Sequence, residues 1–124
     1  ARIKIMQLHW LNDNLAVSGQ LSAKNIDELS SMKIKSIICN RPDFETDDAQ
    51  PTAESVSIEC KRNEIEFFFH PVQSNFQTEL DAEKMAELLK SLPKPIVAYC
   101  RTGGRSMSLI GMTNQLGLID LEDV

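Results

Sequence analysis

At 124 residues, with 42% hydrophobic and 25% charged positions, the chain has the size and composition of one soluble globular domain with a single core. No apolar run approaches the roughly 18 residues that a membrane span requires, and no basic segment followed by an apolar stretch opens the sequence. A net charge of −5 without a Lys/Arg-rich block argues against nucleic acid and anionic membrane surfaces as partners. Cys39, Cys60 and Cys100 are odd in number and widely spaced, with neither metal-ligand pairing nor a disulfide pattern. No metal and no cofactor is therefore expected, and a reducing, cytoplasmic compartment fits. A single domain over residues 1–124 is the expectation, while the start at Ala1 and the end at Val124 leave a longer parent chain open.

In chain order, residues 8–11 and 15–18 flank the turn-forming Asn12-Asp13-Asn14 and predict a short hairpin. Ser22 is placed to cap a helix with Ala23, Ile26, Leu29 and Met32 inward and Leu21 stapled on Ile26. Residues 34–39 read as a β-branched strand and residues 40–50 as an acidic loop; Pro51 or Thr52 then opens a helix with Ala53, Val56 and Cys60 inward. Residues 65–69 read as a buried strand. Thr78, with Asp81 three residues on, starts a helix burying Ala82, Met85, Leu88, Leu89 and Leu92, which Pro93 and Pro95 end. Ile96-Val97-Ala98-Tyr99 is a continuous apolar run, the pattern of a central strand covered on both faces. Residues 106–116 complete the chain's regular structure as a helix with Met107, Ile110 and Met112 apolar, stopped by Gly117.

This alternation predicts an α/β fold with a central, mostly parallel sheet flanked by helices, joined by right-handed crossovers. The loops after Cys39, Phe69 and Tyr99 then emerge together at the carboxyl edge, where open parallel sheets bind ligands. Arg41, Asp43, Glu45, Asp47, His70, Gln73, Asn75, Cys100, Arg101 and Arg105 become candidates to share a pocket.

The segment Cys100-Arg101-Thr102-Gly103-Gly104-Arg105-Ser106 carries the chemistry. A cysteine that ends a buried strand, enters a Gly-rich turn and precedes a helix sits beside outward-pointing N–H groups and a positive helix terminus, which favour thiolate over thiol. Cys100 is the candidate nucleophile. Arg105, five residues on, can fold back and present a planar fork to two oxygens of an oxyanion. Gly103 and Gly104 permit φ > 0 and close approach of backbone to anion. Arg101 and Thr102 complete the cradle. Ser106 has two roles open to it: capping the helix, or donating to the sulfur as it leaves. Cys60 suits an inert buried position. Cys39 reads first as a small buried apolar residue; a second reading puts it within disulfide reach of Cys100 if their strands are neighbours.

Cys-x-x-Gly-x-Arg-Ser after a buried strand resembles the signature of cysteine-dependent protein phosphatases. Ser18-Gly19-Gln20-Leu21, Ile37-Ile38-Cys39-Asn40-Arg41-Pro42-Asp43-Phe44-Glu45, Gln50-Pro51, His70-Pro71-Val72 and Ala98-Tyr99-Cys100-Arg101-Thr102-Gly103 together resemble the bacterial β-lactamase-hydrolase-like phosphatase family, over nearly the whole chain. The resemblance implies a dual-specificity-phosphatase-like fold, hydrolysis of phosphomonoesters through a phosphocysteine on Cys100, and a phosphorylated small molecule or phosphoprotein as substrate. Members of that family occur alone or fused to metallo-β-lactamase-like or flavin-dependent oxidoreductase domains.

Two features set this sequence apart. Four residues rather than five separate Cys100 from Arg105, a spacing that also resembles rhodanese sulfurtransferases, where the loop cysteine carries a persulfide. And residues 70–78 contain no Asp or Glu, where phosphatases of this type usually carry their general acid. Asp43, with Glu45 and Asp47 on the neighbouring loop, and His70 at a strand end are the alternatives, and Arg41 and His70 are candidate substrate contacts. Phosphate-ester hydrolysis is the leading expectation and sulfur transfer through a Cys100 persulfide the alternative.

Overall fold

The computed structural model describes residues 8–124. Strands β1 (His9–Asn12) and β2 (Leu15–Ser18) form the expected hairpin, closed by Asn14 N–H donating to Asn12 Oδ1 at 2.7 Å. There follow α1 (Ala23–Ser31), β3 (Ser36–Cys39), α2 (Ala53–Arg62), β4 (Glu66–Phe69), α3 (Glu79–Ser91), β5 (Ile96–Tyr99) and α4 (Gly104–Gln115). The sheet order is β1-β2-β5-β3-β4, with β2, β5, β3 and β4 mutually parallel and β1 antiparallel at one edge.

Alternation along the inner strands divides the core. Leu15, Val17, Ile38, Ile96 and Ala98 face a cluster with Met85, Leu89, Leu109 and Ile110 of α3 and α4, while Ala16, Ile37, Cys39, Val97 and Tyr99 face Ile26, Leu29, Val56 and Cys60 of α1 and α2. Both faces are covered, as the apolar run 96–99 demanded, and β5 lies at the centre. Caps act where the sequence placed them: Thr52 Oγ1 accepts from Ser55 N–H at 3.2 Å, and Thr78 and Asp81 form a reciprocal capping box.

Three expectations are corrected. Among the described residues β4 is an edge strand paired only with β3, so Glu66 and Phe69 are exposed and Phe67 and Phe68 half-buried; a run of three phenylalanines gave an apolar signal with no information about which strand would border solvent. Met32 is not inward: α1 ends at Ser31, and Met32 is its exposed C-cap. Helix α4 begins at Gly104, not at Ser106, which puts Arg105 and Ser106 inside its first turn and leaves Leu109 and Ile110 as its buried apolar residues, with Met107 and Met112 only partly covered.

A candidate active site on the loop after β5

Main-chain bonds to both neighbouring strands hold the loop in place. Cys100 N–H donates to Ser18 O (3.3 Å), Gln20 N–H to Arg101 O (3.1 Å) and Asn40 N–H to Tyr99 O (2.8 Å). Gly19 fits this seam closely: a Cβ there would lie 3.2 Å from Arg101 O and would press the loop back by a few tenths of an ångström. Gly103 caps α4 in the left-handed region at φ 97°, a conformation that costs a residue with a Cβ about 1–2 kcal/mol. Gly104 has no such conformation and could carry a side chain without close backbone contact, so of the two glycines only Gly103 is used as the sequence suggested.

Cys100 is 1% exposed, and Gly103 N–H points at its sulfur at 3.1 Å. Burial pushes its thiol pKa up. The N–H and hydroxyl of Ser106 and the N–H groups of Thr102 and Gly103 pull it down and prevail, so the thiol titrates below its ordinary range. Cys60, with desolvation unopposed, is pushed up to about 12. Cys39 is likewise raised by burial; it sits opposite Tyr99 on the α1/α2 face with its thiol donating to Arg41 O at 3.3 Å, which is the inert arrangement. Among the described residues all three cysteines are free.

Arg105 reaches across to the neighbouring loops. Nη2 donates to Glu45 Oε1 at 2.9 Å, and Nη1 donates to Val72 O at 3.2 Å and Asn40 O at 3.4 Å. Its Nε is buried and has no partner. Glu45 Oε1 also accepts from Arg41 Nε at 3.1 Å, so one carboxylate oxygen bridges two guanidiniums. The Arg105 bond is the largest influence in holding the Glu45 carboxyl below the usual range, against burial and with Arg41 assisting. Glu45 is thus kept ionised.

A cavity of about 630 Å³ is lined by Cys100, Arg101, Thr102 and Arg105 from the loop, Glu45 and Thr46 from the β3–α2 connection, and Ser74. Thr46 and Ser74 were not singled out in the sequence, and as hydroxyl residues in irregular loops they gave no periodic signal. The other candidates lie elsewhere. Arg41 is a strut: buried, it spends its donors on Glu45, Gln20 Oε1 (2.8 Å) and Thr46 Oγ1 (2.6 Å). Asp43 turns away, its Oδ1 accepting Ala53 N–H at 2.8 Å at the start of α2, beside a separate cavity under Phe67, Phe68 and Phe69. His70 is not among the residues lining the cavity; its Nδ1 is 3.4 Å from Asn40 Nδ2 and its pKa is lowered chiefly by burial. Gly103 and Gly104 line a different cavity, of about 730 Å³, behind the loop with Trp10, Met32 and Met107. Asn40, fully buried at the end of β3, was overlooked; a polar residue closing an apolar strand is a signal that some buried partner awaits it. Among the described residues no group of His, Cys, Asp and Glu side chains is arranged to hold a metal ion, and no helix is long and apolar enough to cross a membrane.

A loop running from Cys100 to Arg105 between a central parallel strand and a helix, in this strand order, defines a protein of the dual-specificity, protein-tyrosine-phosphatase-like fold. The likeness is measurable: a candidate phosphatase of Neisseria meningitidis matches with a TM-score of 0.81 at 28% identity, over 93% of this chain and 81% of that one. A kinase-associated phosphatase carrying a Cys-to-Ser substitution at its catalytic site matches in fold at 0.72 and 16% identity, over 98% and 81%. A sequence model of the family covers residues 7–117, and the chain belongs to the phosphatase-like domain family of β-lactamase hydrolase-like proteins. A β-lactamase hydrolase-like protein of Xylella fastidiosa is 25% identical over 108 residues, 87% of this chain; the chain spans about a quarter of the length of the curated relatives it matches.

Proposed function

We propose that the domain hydrolyses phosphomonoesters with Cys100 as nucleophile. The observation that carries the reading is a buried, unpartnered guanidinium nitrogen, Arg105 Nε, on a residue that lines one cavity together with Cys100, whose thiol titrates below its ordinary range. Orphaned buried donors are costly, and a bound oxyanion removes that cost. In the proposed reaction the Cys100 thiolate attacks phosphorus, the bond to the leaving-group oxygen breaks, and loop N–H groups with Arg105 hold the equatorial oxygens. Water then attacks the phosphocysteine, the S–P bond breaks, and phosphate leaves with the thiolate restored. Ser106, whose N–H and hydroxyl help hold the Cys100 thiol below its ordinary range, assists that departure. Arg101 and Thr102 at the rim contact the remainder of a phosphorylated small molecule or phosphoprotein. The thiolate fits a reducing, cytoplasmic compartment.

One observation favours a second reading, sulfur transfer through a Cys100 persulfide. Glu45, the one carboxylate lining the cavity among the described residues, is held ionised by two arginines, and Asp43 is engaged at α2. Ester hydrolysis therefore proceeds without a carboxylic acid at the leaving group and is confined to acidic leaving groups such as phenols, whereas sulfur transfer needs none. A paired assay separates the two: release of phosphate from an aryl phosphate, and thiosulfate:cyanide transfer, each with wild type and Cys100→Ser. Phosphate release lost in Cys100→Ser supports hydrolysis; wild-type sulfur transfer without phosphate release overturns it in favour of the persulfide.

A further inference from the structure

Strand β4 is unlike the other parallel strands in leaving half of its main chain without partners. Glu66 N–H donates to Lys35 O at 3.0 Å and His70 N–H to Cys39 O at 2.8 Å, so the residues in phase with these two face β3. Phe67 and Phe69 are out of phase. Their N–H groups and carbonyls point away from the sheet, and no hydrogen bond among the described residues reaches them. Such a row is a template for one more strand. Beside it lies the cavity of about 520 Å³ between β4 and α2, lined by Asp43, Ala53, Glu54, Ser57 and the three phenylalanines. Phe67 packs with the α1/α2 cluster, and Phe69, two positions on, shares that face and is 40% exposed. Phe68 belongs to the opposite face, where Lys84 Nζ stands 4.8 Å from its ring centroid. Two carboxylates and no cation line the cavity. Asp43 Oδ1 accepts from Ala53 N–H, and Glu54 forms no ion pair with a described residue. The start of α2 offsets roughly half a charge, which leaves the cavity negative.

We propose that the β4 edge is a docking site for an extended peptide of a partner protein, which adds as a further strand and places an arginine or lysine side chain in the acidic, phenylalanine-lined cavity. Main-chain bonds to Phe67 and Phe69 supply the grip, and the cavity selects the side chain. A basic side chain answers both parts of the lining: its methylenes cover the exposed ring of Phe69, and its cation meets the carboxylates. The sign of the charge decides between occupants. A second copy pairing through its own β4 would bring another Asp43, Glu54 and Glu66 to the same seam, like charge against like. The inference rests on no reading of Cys100.

The test selects random nonapeptides displayed on phage against the immobilised wild-type protein and, in parallel, against Phe69→Pro. Proline removes the outward donor and the ring while costing no bond to β3, because that N–H faces away from it. Peptides enriched on the wild type should carry Arg or Lys with β-branched or aromatic residues two positions to either side, and should not enrich on the variant. With the best of them made synthetically, replacing its basic residue by Gln, or Glu54→Gln in the protein, should each weaken binding about two- to fivefold. Both changes together should cost little more than either alone, as expected of a pair in contact. Hydrogen exchange followed by NMR supplies a readout on the main chain: bound peptide should slow the Phe67 and Phe69 amides of the wild type. The last two measurements do not depend on the folding of Phe69→Pro. Enrichment of acidic or uncharged peptides, additive losses in the double change, or Phe67 and Phe69 amides unaffected by bound peptide overturn the proposal. A concentration-dependent dimer that protects those amides without peptide overturns it in favour of a second copy. No enrichment at all overturns it in favour of a short edge that Glu66 merely keeps from pairing.

Discussion

Replacing Arg105 by Lys keeps the charge and removes the fork. The guanidinium supplies three hydrogen bonds within the protein, to Glu45 Oε1, Val72 O and Asn40 O, besides the unpartnered Nε. One ammonium reaches Glu45 or an incoming oxyanion, but not both with the two carbonyls satisfied as well. Val72 O loses its donor and Asn40 O keeps only the Val72 N–H, at about 1 kcal/mol for each lost bond, so stability should fall by about 2 kcal/mol. With an unfolding entropy of roughly 2.1 cal/mol/K per residue over 124 residues, that is a drop of about 8 °C in Tm. In the transition state one charge-assisted bond of a bidentate pair is lost, about 2–3 kcal/mol, or roughly 30- to 150-fold in kcat/KM. Steady-state kinetics on an aryl phosphate, run well below the lowered Tm, with thermal melts alongside, measure both numbers. A variant with kcat/KM within about threefold of wild type and an unchanged Tm would refute the assignment of Arg105 as oxyanion clamp and loop strut together.

The Glu45 carboxyl is held below its ordinary 4.5, so its contribution to stability is present above that pH and is lost as pH falls through the lowered folded-state value. Glu45→Gln removes this limb: the Tm gap between wild type and variant should narrow on acidification from about pH 6 to about pH 3, and parallel curves would show that the double arginine pairing is not formed in solution. Asp43→Ala should cost about 1 kcal/mol through the lost bond to Ala53 N–H at the start of α2. Its dependence of rate on leaving-group pKa should match wild type, and a dependence that steepens would restore Asp43 as the general acid.

What the sequence made legible was whatever periodicity or local chemistry encodes. The strand at 96–99, the caps at Thr52 and Thr78, and the cysteine between a strand and a glycine turn each depend on neighbours a few residues away. What escaped depends on partners brought together by the fold. Asp43 looked like a loop carboxylate facing the site because nothing local reveals that Ala53, ten residues on, claims it. Arg41 looked like a substrate contact because the bond to Gln20 comes from another strand's end. The pairing of Asn40 with Ser106 spans 66 positions and leaves no trace in either residue's surroundings. The edge position of β4 belongs to the same class: sheet order is set by crossovers, and three phenylalanines in a row read the same in a central strand as at a border.

The main-chain seam from Ser18 O, Tyr99 O and Arg101 O to the loop and its neighbours has a consequence for how such a domain can change over evolutionary time. The frame of the cradle is written in backbone bonds, which survive most side-chain replacements. The other side chains that line the cavity, Arg101, Thr102, Thr46 and Ser74, are carried on that frame and the loops beside it. Selection can therefore exchange the rim to admit a new leaving group, or a sulfur donor in place of an ester, while the thiolate and its donors stay where they are. Reactivity and preference are inherited separately, and a fold of this kind can be retargeted by a handful of exposed substitutions without first being destabilised.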